Sequence, residues 1–261
     1  MCRAVLALVG VVAALALAAC GSSPAITVDP AAMTLPVVGV CHSIDRGALE
    51  AKSNDAPAVA CTEPHDDETF ASGQLPGQFS DASYTDPALD VWAYGACHDA
   101  FASYLGTDDS TAMRSMLTWV WFRPSQEAWS AGARWYRCDI VGGVQSESLL
   151  DLPSSAKGLL HGTSKDQWLA CGRGGSVTTS IKVPCTSKHD WRAVTTIKLG
   201  EPGDDYPGDA EVQSKTQSYC SDSVDAWFGY PADFDYGYTW FDEAQWNAGN
   251  RRSICWAGTP K

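Results

Sequence analysis

The feature that most constrains this chain is a double set of cysteines. Cys41, Cys61, Cys97 and Cys138 form one set of four, and Cys171, Cys185, Cys220 and Cys255 form another whose flanking residues repeat the first. Cys61-Thr62-Glu63-Pro64-His65-Asp66 matches Cys185-Thr186-Ser187-Lys188-His189-Asp190, and the next cysteine follows after 36 residues in one copy and 35 in the other. Cys97 and Cys220 each stand nine residues ahead of a glycine, Gly106 and Gly229. Both copies close on one ending, Trp129-x-x-Gly132-x5-Cys138 and Trp246-x-x-Gly249-x5-Cys255. The third and fourth cysteines are 41 residues apart in the first copy and 35 in the second, a difference that one loop insertion between Gly106 and Trp119 explains. The chain is a duplication, and each copy has the size of one small domain, about 90–110 residues.

Within a copy the elements follow from pattern. Segments 37–41 and 58–61 are apolar and strand-like, as are 167–171 and 180–185. Asp86-Pro87 supplies a cap and a first-turn proline for a helix. Along it Leu89, Trp92, Ala93, Ala96, Cys97, Ala100, Phe101 and Tyr104 recur at helical spacing until Gly106. The second copy offers Val212, Tyr219, Cys220, Val224, Trp227 and Phe228 before Gly229. Segments 117–122 and 236–241 read as aromatic-rich strands, each followed by a short helix capped by Ser125 or Asp242 and stopped by Gly132 or Gly249. A last strand reaches the fourth cysteine.

The expected fold class is therefore α+β: two tandem disulfide-stapled domains, each a small antiparallel sheet packed on a central helix. The expected borders are a leader at 1–19, a tether at 20–36, a first domain at 37–141, a linker at 142–165 and a second domain at 166–258. A Gly-, Ser- and Leu-rich composition marks the linker, with a short amphipathic stretch at 149–160. The first two cysteines of a copy lie on consecutive strands, and the third and fourth lie on the buried helix face and the closing strand. That placement predicts Cys41–Cys61, Cys97–Cys138, Cys171–Cys185 and Cys220–Cys255.

The N-terminus gives an address. Arg3 precedes an apolar run at 4–19, which is shorter than the ~20 residues of a spanning helix. Leu17-Ala18-Ala19-Cys20-Gly21 resembles a bacterial lipobox, and the resemblance implies cleavage before Cys20 and diacylglyceryl attachment to it. The formal charge is −13, and loss of Arg3 with the leader makes it −14. Such acidity excludes a phosphate-binding, nucleic-acid role and disfavours anionic headgroups, which leaves the acyl chain on Cys20 as the expected membrane attachment. The expected location is the extracytoplasmic face of the cell membrane, where the eight remaining cysteines oxidise.

The Cys-x-x-x-His-Asp pattern, the later helix cysteine and the Trp-x-x-Gly-x5-Cys ending together resemble the septum-formation family of actinobacterial envelope proteins. The resemblance runs over most of the mature chain as two tandem copies. It implies a secreted, lipid-anchored or membrane-tethered protein linked to division or envelope growth, with no reaction or catalytic residues to carry over. The family's proline and acidic residue around His-Asp are kept as Pro64 and Glu68, whereas the second copy has Lys188 and Arg192.

Candidate chemistry is sparse. Cys61-x3-His65 and Cys185-x3-His189 have half-zinc-site spacing, and Cys97-His98 could extend the first, but oxidised thiols are no ligands and no metal or cofactor is expected. His65-Asp66 and His189-Asp190 lack a nucleophile that repeats with them, so a structural role is expected. Gly172-Arg173-Gly174-Gly175 lies between two expected strands and reads as a turn, and the acidic stretch 201–209 as a solvated loop. The aromatic strands give the best candidate binding surface, Trp119, Trp121, Tyr236, Tyr238 and Trp240. The expected function is a lipid-anchored, non-enzymatic binding or scaffolding protein of the envelope, with other envelope proteins or wall polymers as partners. The alternatives are a wall-acting enzyme with an unrecognised site and a structural surface antigen.

Overall fold

The computed structural model describes residues 28–162 and 166–259. The leader, Cys20 and the first part of the tether lie outside the described residues, as do positions 163–165 of the expected linker. The first unit runs β1 (Cys41–His42), β2 (Ala58–Val59), β3 (Asp67–Gln74), α1 (Pro87–Leu105), α2 (Asp109–Met113), β4 (Leu117–Phe122), α3 (Gln126–Ser130) and β5 (Trp135–Gly142). The second runs β6 (Ala170–Arg173), β7 (Ile181–Pro184), β8 (Trp191–Lys198), α4 (Asp209–Phe228), β9 (Tyr236–Thr239), α5 (Glu243–Ala248) and β10 (Arg252–Gly258).

Each unit is one five-stranded antiparallel sheet with one order, β2-β1-β3-β5-β4 or β7-β6-β8-β10-β9. The register repeats to the residue, including a bulge. Pairing jumps from Thr69↔Asp139 to Ala71↔Cys138 in the first sheet and from Ala193↔Trp256 to Thr195↔Cys255 in the second. A long helix covers one face of each sheet. α1 starts on the Asp86 carboxylate, which accepts from the Ala88 amide, and stops at Gly106 with φ 73°. α4 stops likewise at Gly229 with φ 80°. Left-handed backbone of this kind favours glycine. α5 opens with a capping box between Asp242 and Gln245.

The four disulfides pair as the strand and helix placement predicts, with Cα separations of 5.3, 5.6, 4.9 and 5.0 Å in chain order. Cys97–Cys138 and Cys220–Cys255 staple helix to sheet at positions that are 0% exposed. Closing such loops stabilises each small core by about 2–4 kcal/mol per bridge.

The structure adds two central strands and changes the reading of the connections. The central strands β3 and β8 directly follow the His-Asp pairs, and residue pattern alone did not place them, because their charged and threonine-rich sequences do not alternate. The insertion after Gly106 is not a loop. It folds as α2 on an Asp108 cap and then joins the second unit, with Met116 N donating to Trp168 O at 2.8 Å and Ala170 N to Arg114 O at 2.8 Å. The expected linker packs as a strap, its amphipathic stretch 149–160 supplying the apolar side. Leu152, Ala156 and Leu160 enter the same core as Phe70, Phe101, Leu105 and Ile140, and Glu68 holds it through the Ala156 amide and the Ser155 hydroxyl. Apolar burial there outweighs the flexibility that Gly and Ser confer. The end of the tether is also docked: Trp135 Nε1 donates to Ala32 O at 2.8 Å, and Val28 and Ala32 rest on Ala128, Ala133 and Trp135.

Candidate functional site

The faces of the two sheets turned away from the long helices carry opposite chemistry. In the first unit that face holds His42, Asp67, Thr69, Arg137 and Asp139, none more than 6% exposed. Arg137 Nε stands 2.9 Å from Asp139 Oδ2, and its Nη1 stands 3.5 Å from His42 Nε2. Arginine only donates, so Nε2 is the bare nitrogen of His42, and Nδ1 carries the proton shared with Asp67 Oδ1 at 3.0 Å. Burial, with the Arg137 charge, holds the His42 imidazole below its ordinary range. Burial pushes the Asp67 and Asp139 carboxyls up to about 7, although the same guanidinium pulls both down.

The connection from β1 to β2 seals this cluster. Ile44 N donates to Asp66 Oδ1 at 2.9 Å, Arg46 reaches the carbonyls of Val144 and Ser146, and Lys52 O accepts from Arg123 N beyond the far edge strand. One donor atom each from His42, Asp67 and Asp139 lies within 4.8 Å of the others, a set that suits a divalent cation. The charge count argues for a proton instead. Two carboxylates beside one guanidinium need a single further positive charge, which a proton on one of them supplies.

Identical register fixes the counterparts in the second unit: Gly172 for His42, Trp191 for Asp67, Ala193 for Thr69, Ile254 for Arg137 and Trp256 for Asp139. All five polar positions have become apolar or glycine. Trp191, Ala193, Ile254 and Trp256 cluster with Val177, Ala170 and Met116, the last from the first unit. The cysteine-to-cysteine span here is 14 residues against 20 in the first unit, too short for a comparable cover, and the first unit packs there instead.

Where the units meet, a cleft of about 530 Å³ opens between α1 and the helix-free face of the second sheet. Trp119 and Tyr94 stand on the first-unit side, edge to face at 5.3 Å, and Tyr94 stacks on His98 at 5.4 Å. Trp240, 38% exposed, lines the other side together with Lys182 and Arg252. Asp109 of α2 lies 3.5 Å from Arg252 and 3.7 Å from His98. At the cleft margin Gly249 faces the Tyr94 ring so closely that a Cβ would collide with it, and its φ of 117° independently demands glycine.

Of the expected surface residues, the structure brings Trp119 and Trp240 to one site, from different units. It does not bring the others there. Trp121 lies under the Arg123 guanidinium, 4.2 Å from its ring centre, and within the first core. Tyr236 and Tyr238 pack against the Cys220–Cys255 staple in an aromatic row with Phe228 and Phe234. The His-Asp pairs act on backbone in both units. His65 and His189 place Nδ1 at 2.8 and 2.7 Å from the carbonyl two residues earlier. Asp66 and Asp190 accept from the amides of Ile44 and Gly174, just past the first strand of each unit. Sequence reasoning missed the His42 cluster and Lys182. The signal for the cluster was a joint one, five polar residues whose counterparts in the other copy are all non-polar.

Two sheets, each stapled to one long helix and meeting along a seam, define a duplicated, disulfide-built α+β protein of an oxidising, extracytoplasmic compartment. Residues 38–255 match the family model described as Septum formation, in one run through both units, and the chain belongs to that family. No curated protein and no solved structure matches the chain. Among the described residues no helix is long and apolar enough to cross a membrane.

Proposed function

We propose that this chain is a lipid-anchored binding protein of the cell envelope, tethered through Cys20, that takes a wall or envelope component in the seam between its units. The observation that carries the reading is the cleft itself, which neither unit makes alone and which gathers Trp119, Tyr94 and Trp240 beside polar side chains. Sites that mix aromatic walls with a few polar groups are the usual form of small-ligand recognition. Membership of the septum-formation family supports an envelope ligand. The sealed state of the His42 cluster favours binding over catalysis, because its shifted carboxyls lie out of reach of a substrate.

Sedimentation with purified wall sacculi tests the reading. The full chain should co-sediment, and Trp240→Ala should weaken that at least tenfold, the effect of losing one buried aromatic anchor, while Trp227→Ala, exposed on α4, should not. Equal binding by Trp240→Ala, or none by the wild type, would count against the seam. Mass spectrometry should find the acyl group on Cys20, and Cys20→Ala should release the protein from membranes.

A further inference from the structure

We propose that the ligand of the seam is a sugar bearing a carboxylate, with Lys182 as the partner of that charge. The inference rests on the reading of the seam as the binding site and narrows its ligand.

Charge comes first. In a chain of net charge −13, the cleft is lined by two basic side chains, Lys182 and Arg252, against one carboxylate, Asp109. Asp109 already lies beside both Arg252 and His98. Lys182 has no carboxylate within ion-pair distance among the described residues, and burial holds its ammonium down to about 8 with no counter-charge to raise it. Lys182 is half-buried and its ammonium is unpaired, so a ligand carboxylate in the cleft supplies the counter-charge that a neutral or cationic ligand does not.

The remaining lining points to the body of the ligand. The rings of Trp119 and Trp240 offer flat apolar surface of the size of a pyranose, Gln145 offers a paired donor and acceptor, and the amide nitrogens of Gln245 and Asn250 offer donors for hydroxyl and acetamido groups. A polyphosphate or nucleic acid would ask for many cations rather than one free lysine. An acidic peptide would satisfy Lys182 but has no comparable use for two aromatic faces.

N-acetylmuramic acid and N-acetylglucosamine share one ring and differ by a lactyl carboxylate, so they isolate the charge. By calorimetry or saturation-transfer NMR on the full mature chain, the acid should bind at least tenfold tighter. Lys182→Gln should erase that preference, leaving the acid and the neutral sugar with equal affinity. In the wild type, raising pH from 7 to 9 should weaken the acid alone, which tests the lysine without any substitution. Equal affinities would overturn the carboxylate and leave the seam standing. Binding of neither sugar, or of an oligoglutamate in their place, would overturn the inference, and sacculus sedimentation then decides the seam separately.

Discussion

The first and second units share every strand pairing, the bulge and both staples, yet bury opposite chemistry on the sheet face away from the helix. His42, Asp67, Thr69, Arg137 and Asp139 in one stand where Gly172, Trp191, Ala193, Ile254 and Trp256 stand in the other. What differs is the cover. A long β1–β2 connection closes the first face, its Ile44 amide donating to Asp66 and its Arg46 reaching the Val144 and Ser146 carbonyls, so a polar cluster is kept from solvent there. The second face has a short hairpin and meets another folded unit, where apolar surface is the favourable content. Repeated cysteines keep the scaffold constant while the covered face adapts to its neighbour.

That contrast can be broken most strongly at Arg137. Replacing it by Met, which approximates the Ile254 side of the comparison, leaves two buried carboxyls without their guanidinium. We expect a loss of about 3–5 kcal/mol confined to the first unit, read by hydrogen exchange in β3 and β5. A small or evenly spread loss would mean that the cluster is not an electrostatic unit.

The pH dependence of the same cluster is next in size. Both carboxyls are raised in the folded state, so the folded chain holds protons that the unfolded chain has released between pH 4 and about 7. Stability of the first unit should fall as pH rises through that window and level off above it. His42, lowered in the fold, works in the opposite direction near its ordinary range but is one group against two. Asp139→Asn should flatten the slope and raise the stability at pH 8, by more than the ~1.4 kcal/mol that one pKa unit is worth. The second unit, apolar at these positions, should show no such slope. A slope that survives Asp139→Asn would refute the assignment.

The smallest effect separates the two Trp-Gly-Cys endings. Gly132 and Gly249 have φ of 100° and 117°, but only Gly249 faces another unit, through Tyr94. Alanine at either should cost about 1–3 kcal/mol from backbone strain. The Gly249→Ala cost should exceed that of Gly132→Ala, and Tyr94→Ala in the same chain should remove the excess. Equal costs would place Tyr94 outside the seam energetics.

The scaffold was legible because its signals are local and repeated. Asp86-Pro87 to Gly106, the Ser125 and Asp242 caps and the cysteine spacing each name their own element. The site was legible only in half. Trp119 and Trp240 were visible as aromatics, but their meeting depends on how one unit sits on the other. Lys182, Asp109 and Arg137 look like ordinary solvated charges in one dimension, and only burial or an unpaired position distinguishes them. The strap shows in the sequence as a short amphipathic stretch, but its docking does not, because the anchor that fixes it, Glu68, lies 87 residues from Ser155.

The borrowed cover of the second sheet has a consequence for biogenesis. Domains emerge from synthesis and export N-terminal end first. The first unit leaves with its own lid already in the chain and can close on itself. The second then folds against a finished surface, with Met116 and Tyr94 waiting as part of its wall. Chain order is thereby a working part of the molecule. A permuted protein that delivered the second unit first would expose Trp191, Trp256 and Val177 to neighbouring chains for as long as the first took to appear.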